Sequence, residues 1–357
     1  MTSPAVTRVR AALERQPRIP LAVLPTPIHD ATRLREALGG PSRCPRVLIK
    51  RDDLTALGLG GNKARKLEYL VADALAQGAT TLITTGAVQS NHARMTAAAA
   101  CVAGLRCVLV LTTTVDAPPL SGNLLLDRLY GASVRLVPSV DPMLAVGQDE
   151  AVVAEVVAGE TAAGRHPYVI PVGGSSGIGV FGYVSATAEL VDQLAAMDIA
   201  PARLYFASGS RGTQAGLTLG AKSCAASYAV TGVAVSAGEP EKIERAKRIA
   251  NEAATRLGIA ERIDLPDLVT DQGYIGEGYG IPTDAGLEAI GLLARTEAIL
   301  LDPCYTSKAM AALVEHVRTG QLSPADTVVF LHTGGMPAIF TEGFVNAFAR
   351  SAGALAT

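Results

Sequence analysis

The sequence predicts an α/β protein of two parallel-sheet lobes with a cleft between them. Short apolar runs alternate with segments of helical period, and the turns that join them are glycine-rich. Strand then helix, repeated, builds a parallel sheet covered on both faces. A chain of 357 residues is long enough for two lobes and a sizeable core. The glycine-rich segment 173–179 interrupts the alternation midway and marks a lobe boundary.

Taken in order, residues 6–14 have the pattern of a short amphipathic helix. Residues 24–28 are extended, because Pro25 and Pro27 fix their own backbone and restrict their predecessors. A helix over 33–38 leads to a strand over 46–51, ending at Asp52 and Asp53. A helix over 63–76 stops at Gly78, and the buried strand 80–84 runs into the turn Gly86 to Asn91. Alternation continues with a helix over 92–102 and a strand over 107–111. Helices over 123–129 and 143–163 flank the strand 133–137, and 168–170 is the last strand of this block. Beyond 173–179 come a helix to about residue 195, the strand 203–207 and a helix over 214–222. The strand 229–235 precedes a charged helix over 239–257. A helix over 283–295, the strand 298–301, a helix over 305–318, the strand 327–331 and a closing helix after Pro337 complete the chain. No short-period repeat or low-complexity tail appears.

Hydrophobic residues make up 49% and charged residues 18%, the balance of a folded globular protein. Thirty-one basic against thirty-three acidic side chains leave a formal charge of −2, which calls for neither nucleic acid nor an anionic membrane as partner. No apolar run reaches the length of a membrane span, and residues 1–18 lack the apolar stretch of a signal peptide. The five cysteines (44, 101, 107, 224 and 304) are odd in number with no Cys-x-x-Cys pair. Reduced thiols in the cytoplasm, and no metal site, are the expectation.

Gly58 to Glu68 is the segment with the most chemical content. Gly58, Gly60 and Gly61 let backbone approach a ligand, Asn62 reads as an N-cap, and strong helix formers follow. Lys63 then stands at the first helical position, where the helix dipole disfavours a cation and eases its deprotonation. A neutral amine is what a Schiff base requires. Read alone, Lys63 equally fits a solvated surface lysine. Ser208-Gly-Ser-Arg-Gly-Thr213 follows a strand and opens a helix, so its backbone N–H groups, with Thr213 and Arg211, suit a phosphate dianion; glycine-rich packing is the bland alternative. It lacks the dinucleotide spacing Gly-x-Gly-x-x-Gly. Gln89-Ser-Asn-His92 sits at the carboxyl end of a strand, where open α/β sheets bind ligands. Ser90 and Asn91 offer hydrogen bonds to a substrate carboxylate or a cofactor hydroxyl, although Asn91 also suits a helix cap and His92 a structural role. His332 opens another strand-end turn rich in backbone donors. Tyr279 and Tyr305, at turns, can stack on a flat ring or relay a proton.

Together these residues resemble the pyridoxal-phosphate enzymes of the D-cysteine desulfhydrase and 1-aminocyclopropane-1-carboxylate deaminase family. The resemblance runs from Leu24-Pro-Thr-Pro27 to Gly334-Gly335. It rests on Lys50-Arg-Asp-Asp53, Gly60-Gly-Asn-Lys-Ala-Arg-Lys-Leu-Glu68, Gln89-Ser-Asn-His92, Tyr168-Val-Ile-Pro171, Ser208-Gly-Ser-Arg-Gly-Thr213 and Leu301-Asp-Pro-Cys-Tyr-Thr306. It implies the tryptophan-synthase-β-like fold (fold type II), with a large lobe of residues 1–65 and 176–357, a small inserted lobe of 66–175, and the cofactor in the cleft. By position, Lys63 would carry the cofactor covalently. Lys66, Ser208, Gly209, Ser210, Gly212 and Thr213 would hold its phosphate, Asn91 would face its ring hydroxyl, and Thr306 its pyridine nitrogen. Ser90, Asn91, His92 and Thr333 would meet the substrate, and Ser90, Tyr279 and Tyr305 would assist catalysis. A homodimer is also implied.

Two positions discriminate within that family. The deaminase pattern would place a glutamate after Tyr305 and a leucine after His332, where this chain has Thr306 and Thr333. A carboxylate keeps the pyridine nitrogen protonated and the ring a strong electron sink, which opening an unactivated cyclopropane needs. A hydroxyl suffices when the β-carbon already bears a leaving group. The expectation is therefore β-elimination, releasing pyruvate and ammonia, with D-cysteine as substrate. L-cysteate with sulfite release is the alternative, ring opening a more distant one, and a non-catalytic cofactor or amino-acid binder the reading from another class.

Overall fold

Two sheets organise the computed structural model, which describes residues 2–139, 150–238 and 240–355. The six-stranded sheet contains β1 (Ile28–Asp30), β2 (Arg46–Lys50), β7 (Arg203–Ser208), β8 (Ala229–Ala234), β9 (Thr270–Asp271) and β10 (Thr327–Leu331) in the order β1-β2-β10-β7-β8-β9. Only the β1–β2 pair is antiparallel, and Phe330 of β10 stands between Ile49 and Tyr205. The four-stranded sheet is wholly parallel, with β3 (Thr81–Ala87), β4 (Arg106–Thr113), β5 (Ser133–Pro138) and β6 (Pro167–Ile170) in the order β5-β4-β3-β6.

The central strands are apolar on both faces because helices cover both faces. On one side of the large sheet, α10 (Asp284–Glu297) and α11 (Thr306–Arg318) bury Leu293, Met310 and Leu313 against Val328 and Phe330. On the other, α7 (Gly177–Ala196) and α8 (Gly212–Ser223) bury Tyr183, Leu190 and Leu217 against Leu48, Leu204 and Val329. Beyond them, α1 (Pro4–Glu14) and α9 (Glu241–Leu257) pack on α7 and α8. The small sheet packs Leu82, Leu109 and Leu111 against α3 (Lys63–Ala76) and α4 (Asn91–Ala103), where the alanines at 97–100 permit close approach. The remaining helices are α2 (Thr32–Ala37), α5 (Gly122–Leu129), α6 (Glu150–Ala162) and α12 (Glu342–Leu355).

The start of α3 is tied to the large sheet by buried charge. Arg65 donates to both oxygens of Asp52 at 2.8 Å and to both oxygens of Glu189 on α7 at 2.9 and 3.0 Å. Lys50, at the end of β2, reaches the same Glu189, and Tyr183 donates to Asp52 at 2.6 Å. Each charge is compensated, so the network persists in the interior.

Most elements lie where sequence periodicity puts them, with two differences. Residues 298–301 form no strand: Ala298 ends α10 in the left-handed region at φ +54°, while Ile299 and Leu301 are buried without a ladder. Apolar patterning reports burial and not pairing, which explains that error. The short strands β1 and β9 escaped prediction because two or three residues carry no period. The expected division at 65/66 falls inside α3, which runs unbroken from Lys63 to Ala76. Of the helix expected over 143–163, residues 143–149 lie outside the described residues, as does Glu239 before α9.

Candidate active site

The ends of β3 and β7, the segment after β8 and the first turns of α3, α4 and α9 surround one cavity of about 580 Å³. Lys63, Ser90, Asn91, His92, Ser208, Gly209, Ser210, Thr213, Tyr279, Tyr305 and Thr333 all line it. These residues come from six separate segments, and the sheets bring them together at strand ends, where backbone groups are not consumed by the ladder. Lys66, Gly212 and Thr306 are not on the wall.

Lys63 is the first residue of α3, as its sequence context implies. Asn62 precedes it in helical conformation, and its side chain makes no cap bond. Instead its Oδ1 accepts from Lys63 Nζ at 2.9 Å, and its Nδ2 donates to Thr213 Oγ1 at 3.0 Å. The lysine pKa falls to about 8, first because burial penalises the ammonium and second because the Arg94 guanidinium is near; Asp302 partly opposes them. Arg94 itself is buried and donates to Gly60 O at 3.0 Å, holding the glycine loop.

The turn that Asn62 ties to Lys63 has the makings of an anion cradle. Arg211, left-handed at φ +67°, precedes α8, whose own ladder begins only with Ala215 N donating to Arg211 O. The N–H groups of Gly212, Thr213 and Gln214 therefore precede the helical bonds. Lys66 lies directly behind. It is buried, donates to Gly173 O at 3.0 Å, and its pKa is pushed well down by burial, then by Lys63 and Arg245. A Cβ on Gly212 would come within 2.7 Å of Lys66 Nζ and 2.6 Å of Ser175 Oγ, so the lysine and the helix end meet only because that residue is glycine. Ser208 donates to Gln214 Oε1 at 2.8 Å, and Ser210 accepts from Ser175 at 2.9 Å.

On the third side, Ser90 and not Asn91 is the N-cap of α4: its Oγ accepts from Ala93 N at 3.2 Å, which leaves the hydroxyl proton for the cavity. His92 Nε2 lies 2.8 Å from Thr84 Oγ1, and that hydroxyl donates its proton to Ile170 O. Thr84 can then only accept from the ring, so the proton of the neutral imidazole is on Nε2. Burial, then Lys63 and Lys66, push the His92 pKa well down, and Nδ1 remains a buried lone pair without a partner.

Tyr279 and Tyr305 close the site, their hydroxyls hydrogen-bonded to each other and their rings edge-on at 5.7 Å. Burial raises both phenol pKa values, so both are protonated near neutrality. Thr306, expected opposite the pyridine nitrogen, is wholly buried and does not line the cavity. Its hydroxyl donates to Asp302 Oδ1 at 2.7 Å and accepts from Asp302 N at 2.8 Å. Asp302 also accepts from the backbone N–H of Cys304, Tyr305 and Thr306, which fixes the entrance to α11.

Sequence reasoning missed Asn62 by reading it as a cap, missed Gly173 by reading 173–179 as a lobe boundary, and gave Val172 no role; all three line the cavity. Arg94 and Ser175 carry no local signal. Lys242 and Arg245 of α9 join the wall from a helix that reads only as charged.

Pyridoxal phosphate fits these residues. An amine of low pKa, an open helix N-terminus with the Lys66 side chain buried behind it, and a histidine with an unpartnered imidazole nitrogen surround one cavity large enough for a flat ring and an amino acid. Among the described residues no group of His, Cys, Asp and Glu could hold a metal ion.

Comparison with known proteins agrees with this geometry. The pyridoxal-phosphate dependent enzyme family matches residues 19–334. D-cysteine desulfhydrases of Salmonella choleraesuis (strain SC-B67) and Salmonella typhi are each 41% identical to this chain over 333 residues, covering 92% of it and 97% of the relative. A crystal structure described as an ACC deaminase homologue superposes with a TM-score of 0.84 at 37% identity, covering 96% of this chain and 99% of the other. A fungal L-serine ammonia-lyase from Rhizomucor miehei shares the fold at a TM-score of 0.64 and 19% identity, over 92% and 98% of the two chains. The chain thus belongs to the pyridoxal-phosphate dependent enzymes, with the two-sheet fold type II architecture.

Proposed function

We propose that this enzyme is a D-cysteine desulfhydrase, a carbon–sulfur lyase. The Cα proton is removed, the Cβ–S bond breaks, sulfide leaves, and water hydrolyses the remaining enamine to pyruvate and ammonia. The observation that carries the reading is the Lys63 amine, of pKa about 8, sharing with the Ser208–Thr213 cradle a cavity closed by two protonated phenols. Likeness to the Salmonella desulfhydrases over most of both chains supports the substrate.

The cofactor would supply the sink for the electron pair that the departing proton leaves on Cα. In this reading Lys63 would hold it, and the Lys63 amine, of pKa about 8, is basic enough to take that proton. Ser90 and the first N–H groups of α4 orient the substrate carboxylate. The coupled phenols of Tyr279 and Tyr305 donate a proton to the leaving sulfur. The α8 N-terminus and Lys66 neutralise the phosphate. The sheets are read as the two lobes, 66–175 and the rest.

Release of sulfite from L-cysteate is the second reading, favoured by Lys242 and Arg245 on the cavity wall, which suit a sulfonate. A keto-acid assay over D-cysteine, L-cysteine, L-cysteate, β-chloro-D-alanine and 1-aminocyclopropane-1-carboxylate separates these. Sulfide and pyruvate from D-cysteine are expected, and turnover confined to cysteate or the cyclopropane overturns the assignment. Lys63→Ala abolishes turnover; preserved pyruvate release contradicts its role.

A homodimer in the cytoplasm completes the proposal. The turn Met336–Phe340 packs against α5 and α12, and this region exposes Phe340 at 70% and Leu129 at 69%. Apolar surface of that kind suits a second copy. Light scattering at twice the 36.7 kDa chain mass is the expected result.

A further inference from the structure

A carboxamide can turn either its oxygen or its NH2 towards a ligand, and the two ends are opposite in chemistry. A chain of hydrogen bonds decides which end Asn91 shows to the cavity. It starts from the backbone carbonyl of Gln89, which can only accept. Asn123 Nδ2 donates to that carbonyl at 2.8 Å, so the NH2 of Asn123 must face the turn between β3 and α4. The same NH2 donates to Asn91 Oδ1 at 3.0 Å. With its oxygen engaged, Asn91 has its NH2 left for the cavity it lines.

The side chain of Gln89 locks the arrangement from the other direction. Its Oε1 accepts from Asn123 N at 2.9 Å and its Nε2 donates to Ser121 O at 3.0 Å. Both partners are backbone groups of one polarity, so Gln89 cannot flip. The fit around it is tight: a Cβ on Gly122, at φ +54°, would come within 2.5 Å of Gln89 Oε1. Asn123 is fully buried, and its own Oδ1 has no hydrogen-bond partner. The half of this side chain that makes bonds is the NH2, and both of its bonds go to the segment that carries Asn91.

We propose that Asn123, which does not line the cavity, is a positioning residue that sets the polarity of Asn91, so that a hydrogen-bond donor meets the anionic ring oxygen of pyridoxal phosphate. The inference rests on the reading of Asn91 as the partner of that oxygen. A donor there stabilises the anion and lowers the pH at which the bound cofactor titrates. An oxygen in its place repels the anion and raises that pH.

The test is a pH titration of the visible absorbance of the cofactor-loaded protein, with cofactor dissociation constants and thermal melts measured alongside. Variants are Asn91→Ala, Asn91→Asp, Asn123→Ala and Asn123→Leu; leucine keeps the volume should the alanine variant fail to fold. Asn123→Leu is expected to raise the titration pH by about one unit, in the same direction as Asn91→Ala. Asn91→Asp, which keeps the acceptor for Asn123 and puts a carboxylate oxygen in the cavity, is expected to raise it most. Asn91→Ala and the Asn91→Ala/Asn123→Leu double variant should coincide, since Asn123 acts only through Asn91. Folded Asn123 variants that titrate as wild type while Asn91→Ala is shifted overturn the positioning role and leave Asn91 as the partner. An unshifted Asn91→Ala overturns the reading of Asn91 itself, and the positioning role with it.

Discussion

Lys63 Nζ donates to the side-chain oxygen of Asn62 at 2.9 Å, and the amide nitrogen of the same Asn62 donates to Thr213 at 3.0 Å. One carboxamide therefore bridges the lysine proposed to carry the cofactor and the loop proposed to hold its phosphate. Asn62→Ala removes both bonds. At about 1 kcal/mol for each, a fall of roughly thirtyfold in kcat/KM is expected with the fold intact. Asn62→Asp puts a carboxylate beside the ammonium and raises the lysine pKa, so the acid limb of the pH–rate profile moves to higher pH. An unmoved limb would show that Asn62 does not act on Lys63.

Cofactor attachment to the apoprotein reports the free amine directly. With Lys63 at a pKa of about 8 against 10.5 for an ordinary lysine, the attachment rate should rise with pH, reach half its maximum near 8 and then level off. Arg94→Met takes away the second cause of that shift and moves the half-maximum upward. Stopped-flow absorbance over a pH series measures both. A rate still climbing towards 10.5 in the wild type would contradict the environment described for Lys63.

The buried network behind α3 predicts a large stability effect. Asp52 is fully buried and accepts from Arg65, Tyr183 and Thr26. Asp52→Ala leaves the Arg65 guanidinium short of its main counter-charge and should cost about 3–5 kcal/mol. Urea unfolding measures the loss, and a change below about 1 kcal/mol would mean the network contributes little.

Asp127 on α5 predicts a pH-dependent gain. It is fully buried, neither oxygen has a hydrogen-bond partner, and burial raises its pKa to about 7, with Arg94 opposing. A carboxyl whose folded pKa exceeds its unfolded value of 3.8 contributes stability below 3.8 and loses it as pH rises to about 7. Asp127→Asn removes that loss. Above the folded value it should stabilise the protein by about 2–4 kcal/mol, and below the unfolded value by little. Unfolding midpoints in acid and in alkali test the sign.

Thr306→Glu tests how the family's two chemistries are told apart. The threonine hydroxyl is bound to Asp302 and does not face the cavity, so a glutamate there meets a carboxylate. Lower stability and no pyridine contact follow, and no ketobutyrate should be released from 1-aminocyclopropane-1-carboxylate. Release of that acid would show that residue 306 alone selects the reaction.

The order of strands and helices was legible because burial imposes a period on each element, and Lys63, Ser90, Asn91 and the Ser208–Thr213 turn were legible because their neighbours are glycines and caps. Asn62 looked like a cap and is a bridge. Ser90 caps the helix that Asn91 also suited. Residues 298–301 looked like a strand since their apolar side chains are buried, as a strand's would be. Thr306 carried the right chemistry at the right place in the chain, yet its hydroxyl is spent on Asp302 four residues away.

By itself the sequence determined the α/β class, the family and the residue types of the site, since these follow from local period and local motif. The tertiary structure alone decided what those side chains can do. It set which nitrogen of His92 holds the proton, which end of Asn91 meets the cavity, and why Lys63 is a weak base. Those properties depend on partners far away in the chain, such as Thr84 and Ile170, Asn123, and Arg94. Hydrogen bonds and burial act over a few ångströms of space, and no spacing along the chain records them.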